Sequence, residues 1–230
     1  GNLTTQLIVS LDRRDVIAAL GDLSDSFKSF YPETSLKLLG LVEGNLNKIY
    51  LRQLESELPG VFKIDAHGTA EHVMDDINRS GQFFLKAGTN NESFLRGVLL
   101  KESGGRFSIP DHLSLDLQAS LAKGEYHADM LLTEQTGNVK LSGRYHPRFQ
   151  KYGVDLKVDS LALIHFLPKD SIFSVTADVK AEGQGTNLFA NTTWAQLEAS
   201  IRNLVYKENP ISGISLEGSL KEHQLQANMI

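Results

Sequence analysis

The residues of this 230-residue chain that are best suited to chemistry are seven histidines, two pairs of neighbouring carboxylates and one glycine-rich turn. His67 and His72 lie five apart, and an extended strand with a period of two puts them on opposite faces, where they cannot converge on a metal. His127 and His165 stand near Asp129 and Asp170, at separations that neighbouring polar strand positions produce by themselves. Glu55 with Glu57 and Asp75 with Asp76 read as a charged outer strand face and a solvated turn. Gly183-Gln184-Gly185-Thr186 resembles a fragment of a phosphate-binding loop, but no lysine or helix follows it. A Gly-x-Ser-x-Gly elbow is absent, and with no cysteine there is no thiol nucleophile, disulfide or cysteine zinc site. The expectation is therefore a chain that is not an enzyme and has neither metal nor cofactor.

Trp194 and the tyrosines Tyr50, Tyr126, Tyr145, Tyr152 and Tyr206 could form a sugar-stacking platform. Alternation instead assigns Tyr126, Tyr145 and Tyr152 to an apolar face with Met130, Val139, Leu141, Val154 and Leu156. A net charge of -5 without any basic run argues against a nucleic-acid backbone as partner. Hydrophobic residues at 41% suffice for a sizeable core, and no apolar run approaches the ~20 residues that span a bilayer.

The elements that position these residues are strands. Leu113, Leu115, Leu117, Ala119 and Leu121 alternate with Ser114, Asp116, Gln118 and Ser120, and Phe173, Val175, Ala177, Val179 and Ala181 with Ser174, Thr176, Asp178 and Lys180. Strands are predicted at 7–11, 35–44, 45–56, 61–72 and 81–88. In the second half they are predicted at 112–122, 125–134, 137–147, 151–163, 171–184, 194–206, 212–221 and 223–230. Lys123-Gly124, Thr136-Gly137-Asn138, His146-Pro147 and Glu208-Asn209-Pro210 supply turns, so consecutive strands form antiparallel hairpins. Asp12 caps a helical stretch from Arg13 to about Phe30, weakened or split at Gly21, which closes one end of the sheet. Asn90-Asn91-Glu92 starts a short helix with Phe94, Leu95, Val98 and Leu99 on its apolar side, and Ser103-Gly104-Gly105-Arg106 is a turn or mobile loop. Gly40, Gly44, Gly68, Gly143, Gly183, Gly185 and Gly218 sit late in strand patterns, where they either bend the sheet or simply end strands. The fold class expected is mainly β, with long antiparallel strands in a curled, open groove and one or two short helices in the N-terminal half. Residues 1–109 form a β-rich segment with the helices and 110–230 the groove segment, both within one elongated piece.

Leu225, Ala227 and Met229 still alternate with Gln226 and Asn228 when the sequence reaches Ile230, and Gly1-Asn2-Leu3 lacks an initiating methionine, so a longer parent is expected. Leu7–Lys48 and Leu156–Phe189 also share an order of parts: a strand, a connector at Tyr31-Pro32-Glu33 or Leu167-Pro168-Lys169, then a strand ending in paired glycines.

The stretch Asp159-Ser160-Leu161-Ala162-Leu163-Ile164-His165-Phe166-Leu167-Pro168, running into Ser171–Asn187, resembles a repeat of the TamB and AsmA-like group of bacterial envelope proteins, in particular the Bacteroidetes versions. Ala195–Ile201 and Ile214–Leu220 are similar to strands of the same group, and the resemblance covers 110–230 better than 1–109. It implies a periplasmic segment of a protein anchored in the inner membrane, belonging to a translocation and assembly module or to outer-membrane biogenesis. The implied ligand is a phospholipid or another acyl chain, and the implied partner an outer-membrane barrel protein. The groove would be lined by Leu113, Leu115, Leu117, Tyr126, Ala128, Met130, Val139, Leu141, Val154, Leu156, Val158, Phe173, Val175, Ala177, Val179, Leu197, Ile201, Ile214 and Leu216. The alternative is a closed β-sandwich on the cell surface, binding glycan or protein and burying the same residues in a sealed core.

Overall fold

The alternating segments pair one after another into a single antiparallel sheet. A computed structural model describes residues 2–19, 24–45, 47–75, 77–90, 93–110, 112–187 and 190–230. Leu20, Gly21, Leu23, Asn91 and Glu92, on which part of the helix expectations rested, lie outside the described residues. The strands are β1 (Leu3–Leu11), β2 (Leu36–Gly44), β3 (Lys48–Leu58), β4 (Phe62–Glu71), β5 (Ser80–Thr89), β6 (Ser114–Ala122), β7 (Glu125–Thr133), β8 (Asn138–His146), β9 (Lys151–Leu161), β10 (Ile172–Gln184), β11 (Trp194–Tyr206), β12 (Asn209–Ile211), β13 (Ile214–Lys221) and β14 (Gln224–Met229). Spatial order follows chain order from β1 to β14, except that the short β12 pairs β11 beyond the end of β13. Among the described residues β1 and β14 do not pair, so the sheet is open and no barrel closes.

Apart from β1, which begins at Leu3, four residues ahead of the expected 7–11, strand ends agree with the sequence expectation to within about three residues, with two informative departures. Residues 209–211 pair with β11 as β12 instead of forming the turn, which falls at Lys207-Glu208 with Lys207 at φ 54°. The strand expected to run to residue 163 ends at Leu161, because the Ala162 N–H donates to Glu134 Oε1 at 3.1 Å and leaves the ladder. Leu163–Phe166 then makes a single helical turn, α4.

Three other helices occupy the same end of the sheet as α4. Helices α1 (Arg13–Ala19) and α2 (Asp25–Phe30) link β1 to β2, and α3 (Ser93–Glu102) lies between β5 and β6. The Asp12 side chain accepts from Asp15 N at 3.0 Å and Ser24 Oγ from Phe27 N at 3.2 Å, each satisfying an N-terminal donor of its helix. The apolar faces of these helices meet the ends of β1–β4 in the buried cluster Val16, Tyr31, Leu58, Val61 and Phe94, with Leu11, Phe27, Leu36 and Phe62 packed around it. Phe94 meets Phe27 and Tyr31 edge-on, with ring centroids 5.1 and 5.2 Å away. At this cap end Ser108 N also donates to Phe166 O at 2.9 Å, docking the segment after α3 onto α4.

Two polar groups in the cap lead to predictions. Among the described residues the buried Tyr31 hydroxyl has no hydrogen-bond partner, and that burial raises its pKa. Tyr31→Phe keeps the ring contacts and removes an unmet donor, so equilibrium urea unfolding is expected to show a gain of about 1 kcal/mol; a loss of that size would mean that the hydroxyl has a partner.

Glu134 is buried at the β7–β8 turn, where its carboxylate accepts from Thr136 Oγ1 and the Ala162 N–H and faces His165 Nδ1 at 3.2 Å. Burial works to raise its pKa, but these hydrogen bonds outweigh it and hold the carboxyl below its ordinary value. A carboxyl with a depressed folded pKa stabilises the fold above the unfolded value, and that contribution fades as pH falls through the folded value. Glu134→Ala is expected to cost about 1–3 kcal/mol near neutral pH. Denaturation measured across the acidic range should show the gap to wild type closing below the carboxylate pKa, and a gap that stays constant there would contradict this linkage.

Candidate functional site

Residues directly paired across an antiparallel ladder share a face, so the registers show what each face carries. One row runs Leu7, Gly40, Leu54, Ala66, Leu85, Leu117, Met130, Leu141, Leu156, Val179, Ala199, Leu216 and Met229, crossing the whole sheet. Toward the cap end the next row includes Ile64, Ala87, Leu115, Leu132, Val139, Val158, Ala177, Ile201 and Ile214. On the other side lies Leu51, Gly68, Phe83, Ala119, Ala128, Gly143, Val154, Ala181, Leu197, Gly218 and Ala227. The last row, at the end away from the helices, contains Ile49, Ala70, Gly81, Leu121, Tyr126, Tyr145, Tyr152, Gly183, Ala195, Leu220 and Leu225.

Of the groove residues named from sequence, Leu115, Leu117, Tyr126, Ala128, Met130, Val139, Leu141, Val154, Leu156, Val158, Ala177, Val179, Leu197, Ile201, Ile214 and Leu216 fall in these rows. Val175 continues them at the cap end, opposite Leu161 and Leu204. Leu113 precedes β6 and accepts from Thr89 N at 2.8 Å. Phe173 sits where the β10–β11 register shifts between Ile172 and Ser174, and it has no cross-strand partner in that ladder.

The same face continues through β1–β5, where Leu7, Leu54, Ala66, Leu85 and Phe83 were not among the named positions. A bulge hides that continuity in β3: Leu51 and Leu54 are three apart yet oppose Gly68 and Ala66, which are two apart. A pattern search with a strict period of two breaks at Leu51-Arg52-Gln53-Leu54. A second strand reading with one inserted residue would have found it.

The apolar face is only partly shielded. Ala66, Val158 and Ala177 are buried, but Leu85, Leu117, Met130, Leu141, Leu156 and Val179 are all intermediate in exposure. The chain exposes 14742 Å², whereas a compact monomer of 25.4 kDa would expose about 10,000 Å². Apolar side chains that a globular fold would hide thus keep accessible surface here.

On this face, away from the helices, lies a recess of about 560 Å³ lined by Phe83, Leu121, Tyr126, Tyr145, Tyr152 and Val154. That is a size suited to a small ligand. Gly143 forms part of its floor, and a Cβ there would meet nothing nearer than a carbonyl oxygen at 3.9 Å. Gly68 and Gly81 differ, since a Cβ on either would lie 2.5 or 2.6 Å from a carbonyl oxygen of the neighbouring strand.

The opposite face is polar, with Lys86 near Asp116 at 3.4 Å, Arg144 near Glu182 at 3.3 Å and Arg202 near Asp178 at 3.0 Å. Pairs this exposed contribute little stability and serve to keep the face wet. A concavity of about 750 Å³ over it is lined by Asp65, His67, Phe84, Asp129 and Asp155 among others, with the His67 and Phe84 rings stacked at 4.9 Å. Among the described residues no cluster of three or more histidine, aspartate or glutamate side chains could hold a metal ion. Among the described residues no helix is long and apolar enough to cross a membrane. No family model, curated protein or solved structure matches the chain.

The two glycine environments make opposite predictions. Gly143→Leu is expected to leave the melting temperature within a few degrees of wild type, since the side chain enters open apolar space and leucine favours a strand more than glycine. Gly68→Leu and Gly81→Leu must push strands apart and should cost about 1–3 kcal/mol or more. Thermal unfolding of the three variants checks this, and equal losses would mean the recess is not open at Gly143.

Proposed function

We propose that this chain holds lipid acyl chains along its apolar face, as one periplasmic segment of an envelope protein of the TamB and AsmA-like kind that carries phospholipid or assists outer-membrane assembly. The observation that carries this reading is the only partly shielded apolar face, continuous from Leu7 on β1 to Met229 on β14. In this reading the sheet curls along its length into an open gutter, the parent is anchored in the inner membrane, and an outer-membrane barrel protein is the downstream partner.

Physical chemistry favours an acyl chain as occupant. A hydrocarbon tail needs no directional partner, and each methylene removed from water contributes about 0.8 kcal/mol. Rows of leucine, valine and methionine repeated at strand spacing offer neighbouring positions of similar depth, so a tail can shift from one to the next without leaving apolar surroundings. The recess of about 560 Å³ bounded by Phe83 and the three tyrosines suits the first methylenes to enter. The chain's own chemistry is confined to binding and exclusion of water; no step of bond making is part of the proposal.

The test is binding of a fluorescent fatty acid or a fluorescently labelled phospholipid to the purified chain. Leu117→Lys and Val175→Glu place a charge among the apolar rows and are expected to weaken binding at least about tenfold. Asp116→Lys, on the opposite face of β6 beside Leu117, should change it less than about twofold. Gly143→Leu should weaken binding by occupying the recess while leaving the fold intact. Equal effects of the inner and outer substitutions, or no uptake of either probe by the wild-type chain, would overturn the assignment.

A further inference from the structure

The end of the sheet away from the helices is rimmed by turns, and two of them expose large apolar side chains where polar residues are usual. In the β4–β5 turn Met74 is 82% and Ile77 78% exposed, with Val73 beside them. Collapse of the loop does not explain their position. Asp75 holds the turn from within, its carboxylate accepting from Ile77 N at 2.9 Å, Asn78 N at 3.1 Å and Asn78 Nδ2 at 2.7 Å. The Asp75 N–H donates to His72 O at 2.8 Å and Arg79 N to Asp75 O at 2.9 Å. A turn ordered by its own polar contacts therefore directs its apolar side chains into water.

In the β8–β9 turn, four strands along the same end, Phe149 is 52% exposed. Arg148 lies over its ring at 5.8 Å, and His146 packs against it at 4.4 Å. Residues 146–151 carry Arg148 and Lys151 and no carboxylate. Immediately behind this turn stand Tyr126, Tyr145 and Tyr152, side by side across β7, β8 and β9, at the mouth of the apolar recess.

From this arrangement we infer that the turn end of the sheet docks on an anionic lipid bilayer, with Met74, Ile77 and Phe149 inserting among the acyl chains and Arg148 and Lys151 meeting the headgroup phosphates. An apolar tip flanked by cations, as Phe149 is, binds membranes through buried apolar area together with attraction to anionic lipid, whereas Met74 and Ile77, which enclose Asp75 and Asp76, contribute apolar area alone. Tyrosines suit the interfacial depth directly above, with ring in hydrocarbon and hydroxyl in water. A tail leaving the bilayer would then enter the recess without crossing water. At the opposite end the apolar ends of β1–β4 are already covered by α1, α2 and α3. This inference takes its purpose from the acyl-chain reading, but the surface is defined by different residues.

Because the chain has no cysteine, single cysteines can report depth. M74C, F149C and, at the helix-covered end, F107C (Phe107 is 54% exposed) are each labelled with an environment-sensitive nitrobenzoxadiazole dye. They are then mixed with vesicles of phosphatidylcholine and phosphatidylglycerol. The dyes at 74 and 149 are expected to shift to the blue and brighten, while the dye at 107 stays unchanged. The triple variant M74S/I77S/F149S, altered only at exposed side chains, should co-sediment with these vesicles at least about tenfold less and keep wild-type affinity for the fluorescent fatty acid. Dyes at 74 and 149 that stay in water, or insertion of the dye at 107, would overturn the docking surface. A chain that takes up the fatty acid but ignores vesicles overturns this inference alone. One that docks through these tips but takes up no fatty acid overturns the acyl-chain reading and leaves the docking surface standing.

Discussion

Everything in this molecule depends on strand register. A strand presents alternate residues to opposite faces, so a slip of one residue anywhere in the sheet would turn every apolar side chain beyond it to the wrong side. Thirteen strands nevertheless keep one apolar row aligned, from Leu7 to Met229. Where the chain inserts an extra residue, the bulge is absorbed locally. Leu51 and Leu54 in β3, Val158 and Leu161 in β9, and Ile201 and Leu204 in β11 are each three apart, yet all rejoin the apolar face. At these positions the apolar pattern sets the register and the backbone accommodates it.

A face of this kind leaves the sheet without the second layer that usually stabilises one. The buried cluster around Val16, Tyr31, Leu58, Val61 and Phe94 covers the ends of β1–β4 only. Elsewhere each strand is held by its two neighbours and by the packing of large side chains along a row. Stability is then spread along the sheet as a series of nearest-neighbour interactions, as in repeat proteins. The polar tie from Glu134 to Ala162 and His165 matters in that setting, because it fixes the β7–β8 turn to α4 far from the apolar cluster. The edge strands β1 and β14 carry neither proline nor charge, so neither has the devices that normally discourage pairing with a further strand.

Much of the fold was legible because alternation is a direct consequence of two-faced burial. The strand expected at 194–206 is β11 at those limits, and the helical stretch between β1 and β2 packs on the ends of β1–β4. Three things were hidden. Bulges in β3 and β9 defeat a fixed period, since the inserted residue has no chemical signature of its own; Ser160 takes a left-handed φ of 52° without being glycine. The early end of β9 depends on a carboxylate at Glu134, 28 residues away, which no local pattern can show. Sixteen of the groove residues named from sequence lie in the cross-strand rows, yet the recess bounded by Phe83 and three tyrosines emerges only from pairing β5 through β9.

The distribution of side-chain size across the apolar face completes the picture. Toward the helices the row is built mostly from branched side chains, Ile64, Leu115, Leu132, Val139, Val158, Ile201 and Ile214, with Ala87 and Ala177 among them. Toward the turns, Gly81, Gly143, Gly183, Ala70, Ala119, Ala128 and Ala195 thin the wall between the aromatic residues. A level wall holds a hydrocarbon tail by area alone and resists its sliding very little. A pitted wall holds it at a defined place, because removing a tail from a fitted hollow forfeits dispersion contacts on several sides at once. In the acyl-chain reading, the place that would hold a tail is the recess at the end with exposed Met74, Ile77 and Phe149.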